Sequence, residues 1–171
     1  MTKQRLIILR GYPGSGKTTI GKSLFERGVG TLIDHNSILT FLADIVGDDN
    51  GIYDEIHILE KAMARKLLKD KKNVIVARGF SSSESIFPYI SVARDLGAEL
   101  FIFKLSVSES NLRLRVVSEE RKKGFNPTVN EDALMAWVIE NPLETVDGEY
   151  EVNADKSIEK VVSQILSALS S

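Results

Sequence analysis

The chain has 171 residues and carries 22 Lys and Arg against 24 Asp and Glu, a net charge of -2. So small an imbalance gives no global attraction to nucleic acid or to an anionic membrane. With no cysteine there is no disulfide framework, thiolate nucleophile or cysteine-based zinc site. The hydrophobic fraction of 43% and charged fraction of 27% are those of a globular protein, expected as a single domain over residues 1–171. No N-terminal signal pattern and no apolar run of membrane-spanning length is visible, which suits the cytoplasm.

Leu6, Ile7, Ile8 and Leu9 head a short apolar run, residues 6–10, that reads as a buried strand. It leads into Gly11-Tyr12-Pro13-Gly14-Ser15-Gly16-Lys17-Thr18, and a helix is expected over 17–27. Gly-x-x-x-x-Gly-Lys-Thr between a strand and a helix is the phosphate-loop pattern in its working context. The glycines let several backbone N–H groups point at one anion, and the helix start adds its positive dipole end. Lys17 reaches toward the β and γ phosphates, and Thr18 offers a hydroxyl to magnesium. A tight strand-to-helix turn with a chance lysine is the bland alternative.

A second strand, 30–34, ends on Asp34. That carboxylate suits magnesium, held through a water, or an acceptor hydroxyl that it would orient and deprotonate; a simple helix N-cap also explains it. His35 and Asn36 follow in a loop, and Asn36 suits either a hydroxylated substrate or the cap of a helix over 37–46. The next helix, 53–70, repeats Ile56, Leu59, Met63, Leu67 and Leu68 at helical spacing, which predicts one buried stripe. Strand 73–77 is followed by Arg78, placed for a bidentate contact to a substrate anion or for a structural salt bridge, Asp34 being one partner in reach. No acid ends this strand. Ser81, Ser82 and Ser83 read as a turn and cap for a helix over 84–96.

After a strand at 99–105, a helix over 109–121 carries Arg113, Arg115 and Arg121, and Lys122 and Lys123 extend the basic cluster. Gly124, Phe125, Asn126 and Pro127 break it, so residues 109–130 read as a lid. Charge that spreads onto a transferring phosphoryl group needs cations above it, and Arg115 and Arg121 are the candidates. Trp137, in a helix over 131–139, is expected in the core. A last strand at 150–153 and a helix at 158–169 enclose Asn153, Ala154 and Asp155, whose backbone suits framing a purine or capping the helix. Alternating strands and helices imply an α/β fold with a parallel sheet covered on both faces, and ligands at the carboxyl ends of its strands.

On these residues the chain resembles the small P-loop kinases of the nucleoside-monophosphate-kinase-like group: shikimate, gluconate and adenylylsulfate kinases, zeta-toxin-like kinases and polynucleotide 5′-kinases. The resemblance spans nearly the whole chain. It implies a five-stranded parallel sheet in the order 2-3-1-4-5 within a three-layer P-loop NTPase fold, with a short helical lid. It implies ATP and Mg2+ as cofactors, with Gly11, Gly14, Ser15, Gly16, Lys17, Thr18 and Thr19 around the ATP phosphates. Several relatives read Asp-x-Asp at the end of the second strand, and here the second acid is Asn36.

The expected function is transfer of the γ-phosphoryl of ATP to a hydroxyl of a small metabolite, nucleoside or nucleic-acid 5′ end. Lys17, Asp34, Arg115 and Arg121 would be catalytic, Asp34, Asn36 and Arg78 would meet the acceptor, and Thr18 and Asp34 would serve the metal. A long nucleic acid is disfavoured by the charge, no membrane partner is expected, and the chain would act as a monomer or homodimer. A nucleotide-binding regulatory module, or an NTP hydrolase without an acceptor, is the alternative.

Overall fold

A computed structural model describes residues 3–46, 52–116 and 131–170. Its elements run β1 (Arg5–Arg10), α1 (Lys17–Glu26), β2 (Thr31–Asp34), α2 (His35–Val46), α3 (Tyr53–Lys69), β3 (Val74–Ala77) and α4 (Ser83–Leu96). They continue with β4 (Glu99–Ser106), α5 (Glu109–Val116), α6 (Glu131–Glu140), β5 (Tyr150–Asn153) and α7 (Ile158–Leu169). The five strands form one sheet in the order β2-β3-β1-β4-β5. Every neighbouring pair is parallel, with Ile8 opposite both Val76 and Ile102. Order and direction are those expected from the sequence.

Side chains alternate across each strand, and this divides the core into two layers. Leu6, Ile8, Ile33, Val74 and Val76 pack under α3 and α4, against Ala64, Leu68, Tyr89 and Val92. Ile7, Leu9, Ile75, Phe103 and Val152 pack under α1 and α7, against Ile20, Leu24, Val162 and Ile165. Both faces of the central strands are therefore apolar, the reason β1 and β3 read as unbroken hydrophobic runs. The same alternation sorts the strand ends. Ile33 and Val76 face α3 and α4, so Asp34 and Ala77 turn toward α1, and His35 and Arg78 return to the α3–α4 side.

Three expectations are corrected. His35 and Asn36 do not form a loop: α2 begins at His35, directly after β2. The buried stripe of α3 is Ile56, Glu60, Ala64 and Leu68, spaced by four, and Leu59 is exposed. Met63 and Leu67 are only partly buried, at the edge of the α3–α4 core. Trp137 is 41% exposed instead of buried in the core, and it meets the edge of the Tyr12 ring at a centroid distance of 6.4 Å. No helix among the described residues is long and apolar enough to cross a membrane.

Candidate active site

The phosphate loop leaves β1 at Gly11 and enters α1 at Gly16. Gly11 has φ +150°, and a Cβ there would lie 2.7 Å from both the Leu105 carbonyl oxygen and Ser15 Oγ, so no larger residue fits. Gly16, the N-cap of α1, has φ +94°, a conformation open to glycine at little cost. The turn is closed by Ser15 N donating to the Tyr12 carbonyl at 3.0 Å, and α1 starts with Ile20 N donating to the Gly16 carbonyl at 2.9 Å. Lys17 Nζ donates to the carbonyls of Gly11 and Tyr12, both at 2.8 Å, which places its ammonium at the mouth of the loop. Gly14, Ser15, Thr18 and Thr19 occupy the loop and the first turn of α1, so all the residues expected around the phosphates lie in one continuous turn.

Asp34 serves two different partners with its two oxygens, and of its readings the structure shows the N-cap. Its Oδ1 accepts from Thr18 Oγ1 at 2.7 Å. Its Oδ2 accepts from Ser37 N at 3.1 Å and from Ser37 Oγ at 2.7 Å, capping α2 as an N-cap residue does. Asp34 is nearly buried, so these donors satisfy a carboxylate that water scarcely reaches. Asn36 is exposed and its side chain does not cap the helix; its carbonyl accepts from Thr40 Oγ1 at 2.9 Å.

Arg78 stands at the end of β3, its N–H donating to the Leu9 carbonyl at 3.1 Å, so it is one strand away from the root of the phosphate loop. Its ion-pair partner is not Asp34 but Glu60 of α3, Nη1 to Oε2 at 3.2 Å. Alternation explains the difference, because Asp34 faces α1 and Arg78 faces α3. Glu60 is fully buried. Its Oε1 lies 2.8 Å from His35 Nδ1, and its Oε2 also accepts from Tyr89 Oη at 3.3 Å. Burial, and then the Glu60 carboxylate, push the Tyr89 hydroxyl pKa up. Arg78 Nη2 lies 3.1 Å from His57 Nδ1 and also contacts Nε2, and the guanidinium sits 5.1 Å from the Phe80 ring centroid. Burial, and then the positive charge of Arg78, hold the His57 pKa below the ordinary histidine value. This network of His35, His57, Glu60, Arg78 and Tyr89 is absent from the sequence-based expectations. A carboxylate at the inward position of an otherwise apolar helical stripe was its only visible signal.

Arg115 Nη2 donates to the Ala154 carbonyl at 2.7 Å, at the end of β5. Arg113 is taken up by acids, pairing with Glu109 at 2.9 Å and with Glu131 at 3.1 Å, and so joins α5 to the start of α6. Asp155 accepts from Asn111 Nδ2 at 2.9 Å and from Ser108 N at 3.1 Å. The Asn111 contact, before that of Ser108, holds its carboxyl below the usual range. Arg121, Lys122, Lys123 and the break at Gly124–Pro127 lie outside the described residues.

The segment after α6 is fastened to the same edge. Tyr12 Oη accepts from Leu143 N at 3.0 Å, and the fully buried Arg10 pairs with Glu149 at 2.6 Å. Arg10 also donates to the carbonyls of Phe80 at 3.2 Å and Glu144 at 2.9 Å. Ser83 N in turn donates to the Glu144 carboxylate at 2.8 Å, and this hydrogen bond lowers the Glu144 pKa.

Comparison with known proteins agrees with this fold. A family model described as an AAA domain matches residues 6–139. Among solved structures, the chain is similar to a provisionally assigned kinase of Chloroflexus aurantiacus, with a TM-score of 0.81 and 14% identity over 99% of this chain and 98% of that one. It is similar to the APS kinase of Mycobacterium tuberculosis, solved with AMPPNP and APS, with a TM-score of 0.71 and 16% identity over 100% of both chains. The shikimate kinase of Bacteroides thetaiotaomicron gives a TM-score of 0.67 and 20% identity over 99% of this chain and 100% of that one. No curated protein sequence matches the chain. At these identities the structures speak for the fold, which is that of the small P-loop kinases.

Proposed function

This chain belongs to the AAA-domain family, and on that premise we propose that it is an ATP-dependent phosphotransferase acting on a hydroxyl-bearing acceptor. One observation carries the reading: Lys17 Nζ at the loop mouth and the Thr18–Asp34 pair flank a single glycine-lined turn at the carboxyl edge of the sheet. In the transfer, the bond from the γ-phosphorus to the β–γ bridging oxygen breaks as a bond to the acceptor oxygen forms. ADP and a phosphomonoester result, and the hydroxyl proton leaves to solvent. Lys17 and the loop amides hold the phosphates and meet the charge that develops on them. A loose transition state asks little of a base, so Asn36 in place of a second acid is compatible with turnover.

The donors present fit magnesium. Thr18 Oγ1 and Asp34 Oδ1 are hard oxygens on a rigid strand end and helix start, and Mg2+ takes one or two protein oxygens plus phosphates and water. By donating its hydrogen to Asp34, Thr18 keeps its lone pairs for a cation. When bound, the ion would neutralise charge on the β and γ phosphates. Among the described residues no three His, Asp or Glu side chains gather into a metal site of their own. Asn36, exposed beside Asp34, hydrogen-bonds the acceptor. Of the two arginines expected over the transferring group, Arg115 reaches from α5 to the Ala154 carbonyl just past β5, and Arg121 keeps that role on sequence order alone.

ADP release measured with and without a panel of hydroxylated acceptors tests the reading. Acceptor-dependent release that disappears in Lys17→Ala is the expected result. Acceptor-independent turnover would mean a hydrolase, and nucleotide binding without any turnover would mean a regulatory module.

A further inference from the structure

The acceptor of a parallel α/β site lies in the crevice beyond the carboxyl ends of the strands. Beside the phosphate loop, the ends of β2 and β3, where His35, Asn36 and Arg78 stand, meet the first turns of α3 through the His35–Tyr53 and Arg78–His57 contacts. Parallel strands lie about 4.8 Å apart. A group at the β3 end is therefore close enough to receive a phosphoryl from the loop at the β1 end. Arg78 brings a cation to that end, and its charge is already engaged. Glu60 takes Nη1, His57 lies against Nη2, Phe80 covers one face, and only 11% of the side chain is exposed. The guanidinium is thus set against one fully buried carboxylate. At the same end stand the half-buried imidazoles of His35 and His57, the exposed amide of Asn36, and the Tyr53 ring stacked on His35 at a centroid distance of 6.4 Å. Such groups hydrogen-bond hydroxyls and cover a ring face, and they repel neither.

We propose that Glu60 sets the class of acceptor: by neutralising Arg78 it leaves, at the ends of β2 and β3, a subsite for an uncharged polyhydroxylated molecule and not for one bearing a carboxylate or phosphate. The proposal rests on the phosphotransferase reading for the direction of transfer, but its electrostatic core is independent of turnover. Glu60 acts through Arg78 and touches no reacting atom, so it is a positioning residue for specificity.

Inorganic phosphate is the probe. It is titrated into the folded chain while side-chain 1H–15N shifts of Arg78 and the two histidines are followed, in the wild type and in Lys17→Ala, Arg78→Gln, Glu60→Gln and Glu60→Gln/Arg78→Gln. The wild type is expected to show one phosphate site, lost in Lys17→Ala and kept in Arg78→Gln. Glu60→Gln is expected to gain a second, at least about tenfold tighter than any wild-type response at Arg78, the size of change that losing one nearby charge brings about. That site should vanish in the double variant. A wild-type phosphate site that survives Lys17→Ala and disappears in Arg78→Gln would overturn the proposal, as would a folded Glu60→Gln protein that gains nothing. Should Glu60→Gln not fold, the comparison of wild type with Arg78→Gln still decides the matter. Loss of the Lys17-dependent site alone would count against the phosphate-loop reading and leave this one standing.

Discussion

Thr18 donates its hydroxyl hydrogen to Asp34 across 2.7 Å, tying the first turn of α1 to the end of β2. The bond commits the hydroxyl hydrogen to Asp34 and leaves the lone pairs for another partner, and it gives one oxygen of a nearly buried carboxylate a fixed partner. The metal dependence of nucleotide binding should follow this bond. Chelating magnesium is expected to weaken ATP binding to the wild type by at least about tenfold, the scale of one charge-assisted contact, and to change binding little in Thr18→Ala. Calorimetric titration with and without EDTA measures both. Equal magnesium dependence in the two proteins would place the metal elsewhere.

Gly11 is where the loop tolerates least. A Cβ at this position would stand 2.7 Å from the Leu105 carbonyl and from Ser15 Oγ, and the φ of +150° adds strain for any L side chain. The obstacle on one side is backbone of β4, which cannot swing away. Gly11→Ala is expected to reduce ATP affinity by about two orders of magnitude or more, as displaced loop amides lose their alignment on the phosphates. It should also lower the unfolding midpoint, with strain of roughly 1–3 kcal/mol. Nucleotide titration and urea unfolding of the same preparation check the pair of effects.

The sequence made the phosphate loop and the sheet legible because both rest on local signals. Glycines stand where the loop needs them, and buried parallel strands read as apolar runs. The order β2-β3-β1-β4-β5 came from family resemblance and not from periodicity. What stayed hidden was cross-element chemistry. Its spacing by four from Ile56 and Ala64 hints that Glu60 turns inward, but nothing local announces that it meets Arg78 and His35 there. The choice of Glu60 over Asp34 as the partner of Arg78 depends on which face of the sheet each strand end presents. Likewise Trp137 sits in an apolar stretch of sequence, yet it serves as an edge contact for Tyr12 because α6 contributes only Leu134 and Met135 to the buried interior.

His57 gives the fold a pH dependence of predictable sign. Burial first, and Arg78 second, hold its folded-state pKa below the ordinary value of 6.5. As pH falls through 6.5 the unfolded chain takes up a proton that the folded chain refuses until lower pH. Stability is therefore full above that value and declines as pH drops toward the folded pKa. The thermal midpoint of the wild type is expected to fall further between pH 7.5 and 5.5 than that of His57→Gln, in which this group cannot titrate. Parallel curves for the two proteins would show that His57 contributes nothing to the slope.

Arg10 and Glu149 form the most enclosed ion pair among the described residues, at 2.6 Å with side chains 0% and 6% exposed. Arg10 ends β1 immediately before the phosphate loop, and Glu149 precedes β5, so the pair joins the root of the loop to the segment that follows α6. Arg10 Nε and Nη2 also donate to the carbonyls of Phe80 and Glu144, and Glu149 Oε1 accepts from Val146 N at 3.2 Å, so each nitrogen of the guanidinium and both carboxylate oxygens have a partner. Removing one partner strands the other in a dry site, which typically costs about 3–5 kcal/mol. Arg10→Met and Glu149→Gln are each expected to destabilise the chain on that scale in urea unfolding. Combining them should cost less than the sum, because the double variant buries no unpaired charge. Strict additivity would mean that the two side chains act separately. A double variant more stable than either single one would show that this pair is retained for positioning the loop, and nucleotide affinity in that variant would then measure what the positioning is worth.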